Sequence, residues 1–287
     1  PARAADVNGT MPGSSLAITK GGQEADFEMS VADNSISLTA TPSGTLELKY
    51  QDANVSNQSG PTYLWTAPEN SGITFGSANA ATTTVSASKA GTYTLTCTAT
   101  YTGTSGSDNV TGTLSDTISV TVIDCTDGID SFKVNGLSIP VSSKAATVYL
   151  KSGDSLTKDS FTDFQYKSGY TDNGEVSYNS SNKVLSVPVK HTASNITGTT
   201  SINITPKTVT VSSVSVTEPA SAPYYAGQNI KFTATVTDAP SGAQYVWTYS
   251  KDGGTSQSLA TTDTNVLTTK AFTVAGSYVV SCAVKFG

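Results

Sequence analysis

Three short blocks occur twice in this chain, in the same order, and they constrain its fold more than any other feature. Ile36-Ser37-Leu38-Thr39-Ala40-Thr41 returns as Ile230-Lys231-Phe232-Thr233-Ala234-Thr235, and Tyr63-Leu64-Trp65-Thr66 returns as Tyr245-Val246-Trp247-Thr248. Ala90-Gly91-Thr92-Tyr93-Thr94-Leu95-Thr96-Cys97 returns as Ala275-Gly276-Ser277-Tyr278-Val279-Val280-Ser281-Cys282. One such match arises by chance in a Ser- and Thr-rich chain. Three in order, with both tryptophans in register, indicate one fold used twice. The blocks place apolar residues at every second position, the period of a strand with one buried face.

The same alternation runs between the blocks, at Phe27, Met29 and Val31, at Leu46, Leu48 and Tyr50, at Tyr93, Leu95, Cys97, Ala99 and Tyr101, and at Ile118, Val120 and Val122. Pro42-Ser43-Gly44, Ser59-Gly60-Pro61 and Asn70-Ser71-Gly72 carry residues that turns require. A small β-sandwich takes about 100 residues, so 287 residues suit three. No stretch has the Leu, Glu, Lys and Ala mixture that helices prefer.

These readings divide the chain into an extended, Gly-rich N-terminal arm over 1–25, a first sandwich over 26–125, a divergent one over 126–209, and a third over 210–287. The divergent region lacks Trp but alternates at Val148 and Leu150, Val176 and Tyr178, Leu185, Val187 and Val189, and Ile202 and Ile204. Linkers are expected near Cys125-Thr126-Asp127-Gly128 and Thr205-Pro206-Lys207, and a turn at Asp172-Asn173-Gly174-Glu175. After Tyr278, Val280, Cys282, Val284 and Phe286 the third sandwich stops before a closing strand. It is expected to be incomplete, finished either by further chain or by a partner's strand added at the edge.

The structural core residues expected from the repeats are Trp65, Tyr93, Cys97, Trp247, Tyr278 and Cys282. A sandwich must fill about 10 Å between its sheets, and one large flat ring does so efficiently. In the immunoglobulin pattern that Trp packs on a disulfide, but the facing strand here offers Leu38 or Phe232, so Cys97 and Cys282 read as free, buried, small apolar residues. The two tyrosines stand four residues before their Cys rather than the two of antibody domains. The fold class is therefore all-β, as tandem immunoglobulin-like β-sandwich domains.

The blocks Phe232-Thr233-Ala234, Tyr245-Val246-Trp247 and Gly276-Ser277-Tyr278-Val279-Val280-Ser281-Cys282-Ala283-Val284 resemble the repeated domains of the highly immunogenic outer capsid proteins of T4-like phages. That resemblance covers the first and third units, weakly the second, and implies a bacteriophage structural protein on the outer capsid surface. The partners it implies are the capsid or another virion protein, with weak adhesion to a host surface glycan or protein. The family's C-terminal capsid-binding domain has no counterpart in this sequence. A bacterial cell-surface or secreted adhesin with immunoglobulin-like repeats is the alternative.

Enzyme chemistry is not signalled. The single histidine, His191, continues an alternating strand with no nucleophile motif nearby, and no Cys/His spacing suits zinc. No cofactor is expected. Asp124, Asp127 and Asp130 are spaced as either a solvated turn or a weak Ca²⁺ site. Asp52, Glu69, Asp108 and Asp252 flank turns. Tyr166, Tyr170 and Tyr178, with Tyr224-Tyr225, are the aromatic residues to weigh as a sugar-stacking stripe against packing. Asn109-Val110-Thr111 and Asn195-Ile196-Thr197 are the chance triplets of such a composition. A net charge of -6 without a basic cluster argues against nucleic acid, and no run is long enough for membrane insertion as a helix.

Overall fold

A computed structural model describes residues 4–31 and 33–287; Pro1–Arg3, the start of the expected arm, lie outside the described residues. The chain forms two compact units. One holds the segment ending at Gly128 with residues 169–173 and 189–199, and the other holds residues 129–168, 174–188 and 200–287.

The first unit is built on β1 (Asp6–Asn8), β2 (Ser14–Lys20), β3 (Phe27–Ser30), β4 (Ile36–Gly44), β5 (Lys49–Tyr50), β6 (Ala53–Asn54), β7 (Ser56–Thr66), β8 (Ile73–Phe75), β9 (Thr82–Ala87), β10 (Gly91–Ser105) and β11 (Asp108–Ile123). One sheet runs β2-β4-β9-β8, and the other runs β1-β11-β10-β7 with β3 also on β11. The early strand β3 pairs in parallel with the closing strand β11, Phe27 opposite Val120. This order is that of an immunoglobulin-like sandwich. Alternation puts Leu95, Cys97, Ala99 and Tyr101 of β10 inside, against Leu38, Trp65, Val85 and Val120. Each large apolar side chain so buried contributes about 1.5–3 kcal/mol.

Four readings of this region change. Pro42-Ser43-Gly44, expected as a turn, is the end of β4, paired with Leu16, Ser15 and Ser14, since proline's fixed φ also suits extended chain. The segment expected as an arm contains β2, whose seven residues pair with β4 from Ser14↔Gly44 to Lys20↔Leu38 and bury Leu16 and Ile18. Its apolar run Leu16-Ala17-Ile18 hides the alternation. Leu46, Leu48 and Tyr50, expected on one strand, lie where the backbone turns: Leu46 has φ 54, and only Lys49–Tyr50 pair, with Ala53–Asn54. Ser59-Gly60-Pro61 is not a turn but part of β7, at a shift of register against β10. Gly60 has φ 115, and a Cβ there would stand 2.7 Å from the Thr100 carbonyl oxygen, so the irregularity uses the one residue that fits it.

The chain continues through β12 (Ile129–Val134), β13 (Leu137–Pro140), β14 (Ala145–Lys151), β15 (Thr162–Tyr166), β16 (Tyr170–Asp172), β17 (Ser177–Asn179), β18 (Val184–His191) and β19 (Thr197–Glu218). β12 lies between β13 and β15, and its Phe132 packs on Phe161 and Phe164 with ring centroids 5.5 and 5.9 Å away. The expected linker Thr205-Pro206-Lys207 falls inside β19, which is continuous for 22 residues. Asn203–Val209 pair in parallel with β14, and from Thr210 the strand pairs antiparallel with the next sandwich. Burial of Ile202 and Ile204 followed by half-burial of Pro206 carries the alternation through the proline, whose fixed φ is compatible with extended chain. The other expected linker, at Cys125–Asp127, is a short 3-10 turn.

The last sandwich adds β20 (Ile230–Thr237), β21 (Gln244–Lys251), β22 (Gln257–Thr262), β23 (Val266–Thr269) and β24 (Tyr278–Lys285). One sheet has β19, β20 and β23 in order, and the other has β22, β21 and β24. The repeated blocks occupy the same places, β20 for β4, β21 for β7 and β24 for β10. The chain is thus all-β, with immunoglobulin-like sandwiches in tandem. One difference stands out. β10 lies between β7 and β11, whereas β24 has β21 as its only strand partner among the described residues.

Candidate functional site

The two repeats use their chemistry-bearing side chains alike. Trp65 is 2% exposed and donates its indole N–H to the Ala80 carbonyl at 2.8 Å; Trp247, fully buried, donates to Thr262 Oγ1 at 2.9 Å. The Tyr93 hydroxyl donates to the Ala90 carbonyl at 3.0 Å and that of Tyr278 to the Val274 carbonyl at 2.8 Å, so each ring pins the loop preceding its own strand. Cys97 stands opposite Trp65 in the ladder and Cys282 opposite Trp247. Both are free thiols. Burial pushes the Cys97 thiol up to about 11. Cys282, expected to be buried, is half-buried, because among the described residues β24 is paired along one edge only; partial burial still raises its pKa.

The remaining candidates are engaged locally. His191 Nδ1 lies 2.8 Å from Ser194 Oγ, and that oxygen also accepts from the Ile196 N–H, which makes the pair a turn brace at the end of β18. Tyr170 packs edge-on against the His191 ring and donates its hydroxyl to the Asp124 carbonyl at 2.9 Å. The Asp124 carboxylate accepts from the backbone and hydroxyl of Thr126. Asp108 accepts from the Ala5 N–H and Asp252 from the Ser277 N–H. Among the described residues no three His, Cys, Asp or Glu side chains are grouped to hold a metal ion. No helix among them is long and apolar enough to cross a membrane.

Tyr178 packs on Phe161 at 5.1 Å. Sequence reasoning passed over Asp116, whose carboxylate accepts from the Ile18 N–H at 2.8 Å and so ties β2 to β11 of the opposite sheet. An acid within the alternating run of β11 was the available signal.

Among the described residues, the exposed large apolar side chains collect mainly at one opening of the last sandwich, lined by aliphatic and aromatic side chains. A cleft of about 630 Å³ lies between β19 and β24, with Val214, Val216, Ile230, Phe272, Tyr278 and Val280 in its walls. At its rim Tyr224 is 43% exposed, Tyr225 67%, and Val274 and Val279 60% each. These are most of the exposed large apolar residues of the described chain; Leu64 is the other. Tyr224 and Tyr225, weighed as sugar-stacking rings, therefore border an apolar slot rather than forming a flat stripe.

No protein-family model and no curated protein matches the chain. Solved structures similar to it at low level include three of tandem domains. Titin domains A168–A170 share 12% identity over 94% of each chain, with TM-score 0.27. The FN1–FN3 domains of chicken CNTN1 share 13% over 96% of this chain and 93% of that one, with TM-score 0.25. Three N-terminal domains of the highly immunogenic outer capsid protein of bacteriophage RB49 share 16% over 87% of this chain and 80% of that one, with TM-score 0.22. At such scores the fold rests on the strand order of this chain itself.

Proposed function

We propose that this chain is a non-enzymatic capsid decoration protein, displaying immunoglobulin-like domains on the outer surface of a virion. The observation that carries the reading is the repeated frame. In both repeats the Trp, Tyr and Cys of the matching blocks pack and brace the sandwich, and those blocks are the ones that resemble the phage outer capsid family. A fold whose distinctive residues serve packing leaves recognition to loops and strand edges. We divide it into a first sandwich that takes in β1 and β2 together with 26–125, a second over 126–209 and a third over 210–287. Its partners are a capsid or other virion protein on one side and a host surface glycan or protein on the other. Weak contacts of single copies become useful when many copies engage together.

Quantitative proteomics of density-purified particles from the source culture, beside the cell-envelope fraction, tests this. Enrichment with virions at many copies per particle is the expected result. Enrichment in the envelope overturns it in favour of a bacterial surface adhesin.

A further inference from the structure

Asn-Gly occurs three times in the chain, at Asn8-Gly9, Asn135-Gly136 and Asn173-Gly174. Glycine has no side chain to shield its backbone nitrogen, so that nitrogen can attack the carboxamide of the asparagine before it wherever the backbone turns freely enough to bring the two together. The fold separates the three pairs by that freedom. Asn8 lies in β1 opposite Thr111, and a Cβ on Gly9 would stand 2.7 Å from Val110 and 2.8 Å from Leu48. Asn135 and Gly136, with φ 51 and 81, close a two-residue hairpin whose strands are paired from Val134↔Leu137 to Ser131↔Pro140.

Asn173-Gly174 is set in neither way. The stretch from Asp172 to Glu175, expected as a turn, does not reverse the chain: β16 and β17 both pair with β18, Asp172 opposite Val189 and Ser177 opposite Ser186. Residues 173–176 therefore face only Val187 and Pro188, and the edge bulges. Pro188 suits that place, since it has no N–H to give to a ladder. Asn173 and Gly174 are exposed, Gly174 has φ 131, and a Cβ there would meet nothing within 4 Å.

We propose that Asn173 is a site of spontaneous deamidation, converting in the folded protein to aspartate and isoaspartate while Asn8 and Asn135 are held back. The Gly174 nitrogen bonds to Asn173 Cγ and gives up its proton to solvent; the Cγ–Nδ2 bond breaks, and the nitrogen leaves as ammonia with a proton from water. Water then opens the succinimide. Attack at Cγ restores the ordinary backbone as aspartate, and attack at the Asn173 backbone carbonyl carbon leaves the chain running through Cγ as isoaspartate. The net change consumes one water, releases one ammonia and needs no oxidant. It sets a new carboxylate between Asp172 and Glu175, the latter 3.6 Å from Lys158 Nζ. The bulge takes the extra backbone atom of isoaspartate without breaking a rung of the ladder. This inference does not depend on the virion reading.

The full 287-residue chain, kept at mildly alkaline pH in buffer and in urea, is sampled over time, and peptide mass spectrometry reads each asparagine. In urea the three pairs are expected to convert at similar rates. In the folded chain Asn173 stays near that rate, whereas Asn8 and Asn135 slow about tenfold or more, because each must first open locally. Asn173→Gln, at an exposed position, is expected to keep the unfolding temperature and to remove the first acidic species seen on ion exchange, since glutamine would have to close a larger ring. Three outcomes overturn the proposal: Asn8 or Asn135 converting in the folded chain as fast as Asn173, folding protecting Asn173 about tenfold, or the same acidic species forming at an unchanged rate in Asn173→Gln.

Discussion

Burial at single residues gives two groups measurable consequences. Cys97 loses its proton near pH 9 when solvated and near 11 in the fold. The neutral thiol therefore favours the folded state: its contribution is complete below pH 9 and is lost as pH rises toward 11, about 3 kcal/mol over that window. Urea unfolding at pH 8 and 10.5 is expected to show a steeper loss for the wild type than for Cys97→Ala. Thiol labelling at pH 8 checks the same burial, since half-buried Cys282 reacts well before Cys97. Tyr101 presents the opposite case. Its hydroxyl is buried and finds no hydrogen-bond partner among the described residues. Tyr101→Phe removes a desolvated polar group while keeping the ring, so stability is expected to hold or rise by about 1 kcal/mol in the same assay. A loss above 1 kcal/mol would mean that the hydroxyl is satisfied.

Strands were legible in the sequence where one face is buried over several residues, as in β4, β10 and β18, because alternation is then uninterrupted. It failed for β2, where Ala17 sits half-buried between Leu16 and Ile18 and the flanking glycines read as loop. Turn residues misled at Gly60 and Pro206, since glycine also serves bulges and proline also suits extended chain. The cleft was half legible: the alternation of β24 shows in the sequence, but that Tyr224-Tyr225 borders the same cleft requires the path of the chain from β19 to β20. β2 offers the test of an element that periodicity missed. Ile18 is 1% exposed in the core and its N–H is held by Asp116. Ile18→Ala is expected to cost about 2–5 kcal/mol of the first unit's stability, read by fluorescence of Trp65 in a Trp247→Phe background. A dispensable arm would give no change.

Across the molecule, each compact unit contains one tryptophan, and the second unit carries a further coupling of its own. β19 is a single strand that pairs first with β14 and then with β20, so its backbone serves the sheets on both sides of residue 210. At that crossover Val209, Ala243 and Phe286 form a small buried cluster, against which Leu137 and Tyr149 of the preceding region pack. A shared strand and a shared cluster mean that neither part of the unit loses its packing without exposing the other's apolar surface. Phe286→Ala is therefore expected to remove about 3 kcal/mol, and to remove it from both. The unfolding transition reported by Trp247 in a Trp65→Phe background shifts down, and amide protection in β14 falls with it. Protection in β14 that stays constant while the Trp247 transition moves would show two separately cooperative parts, joined by a strand that transmits no stability between them.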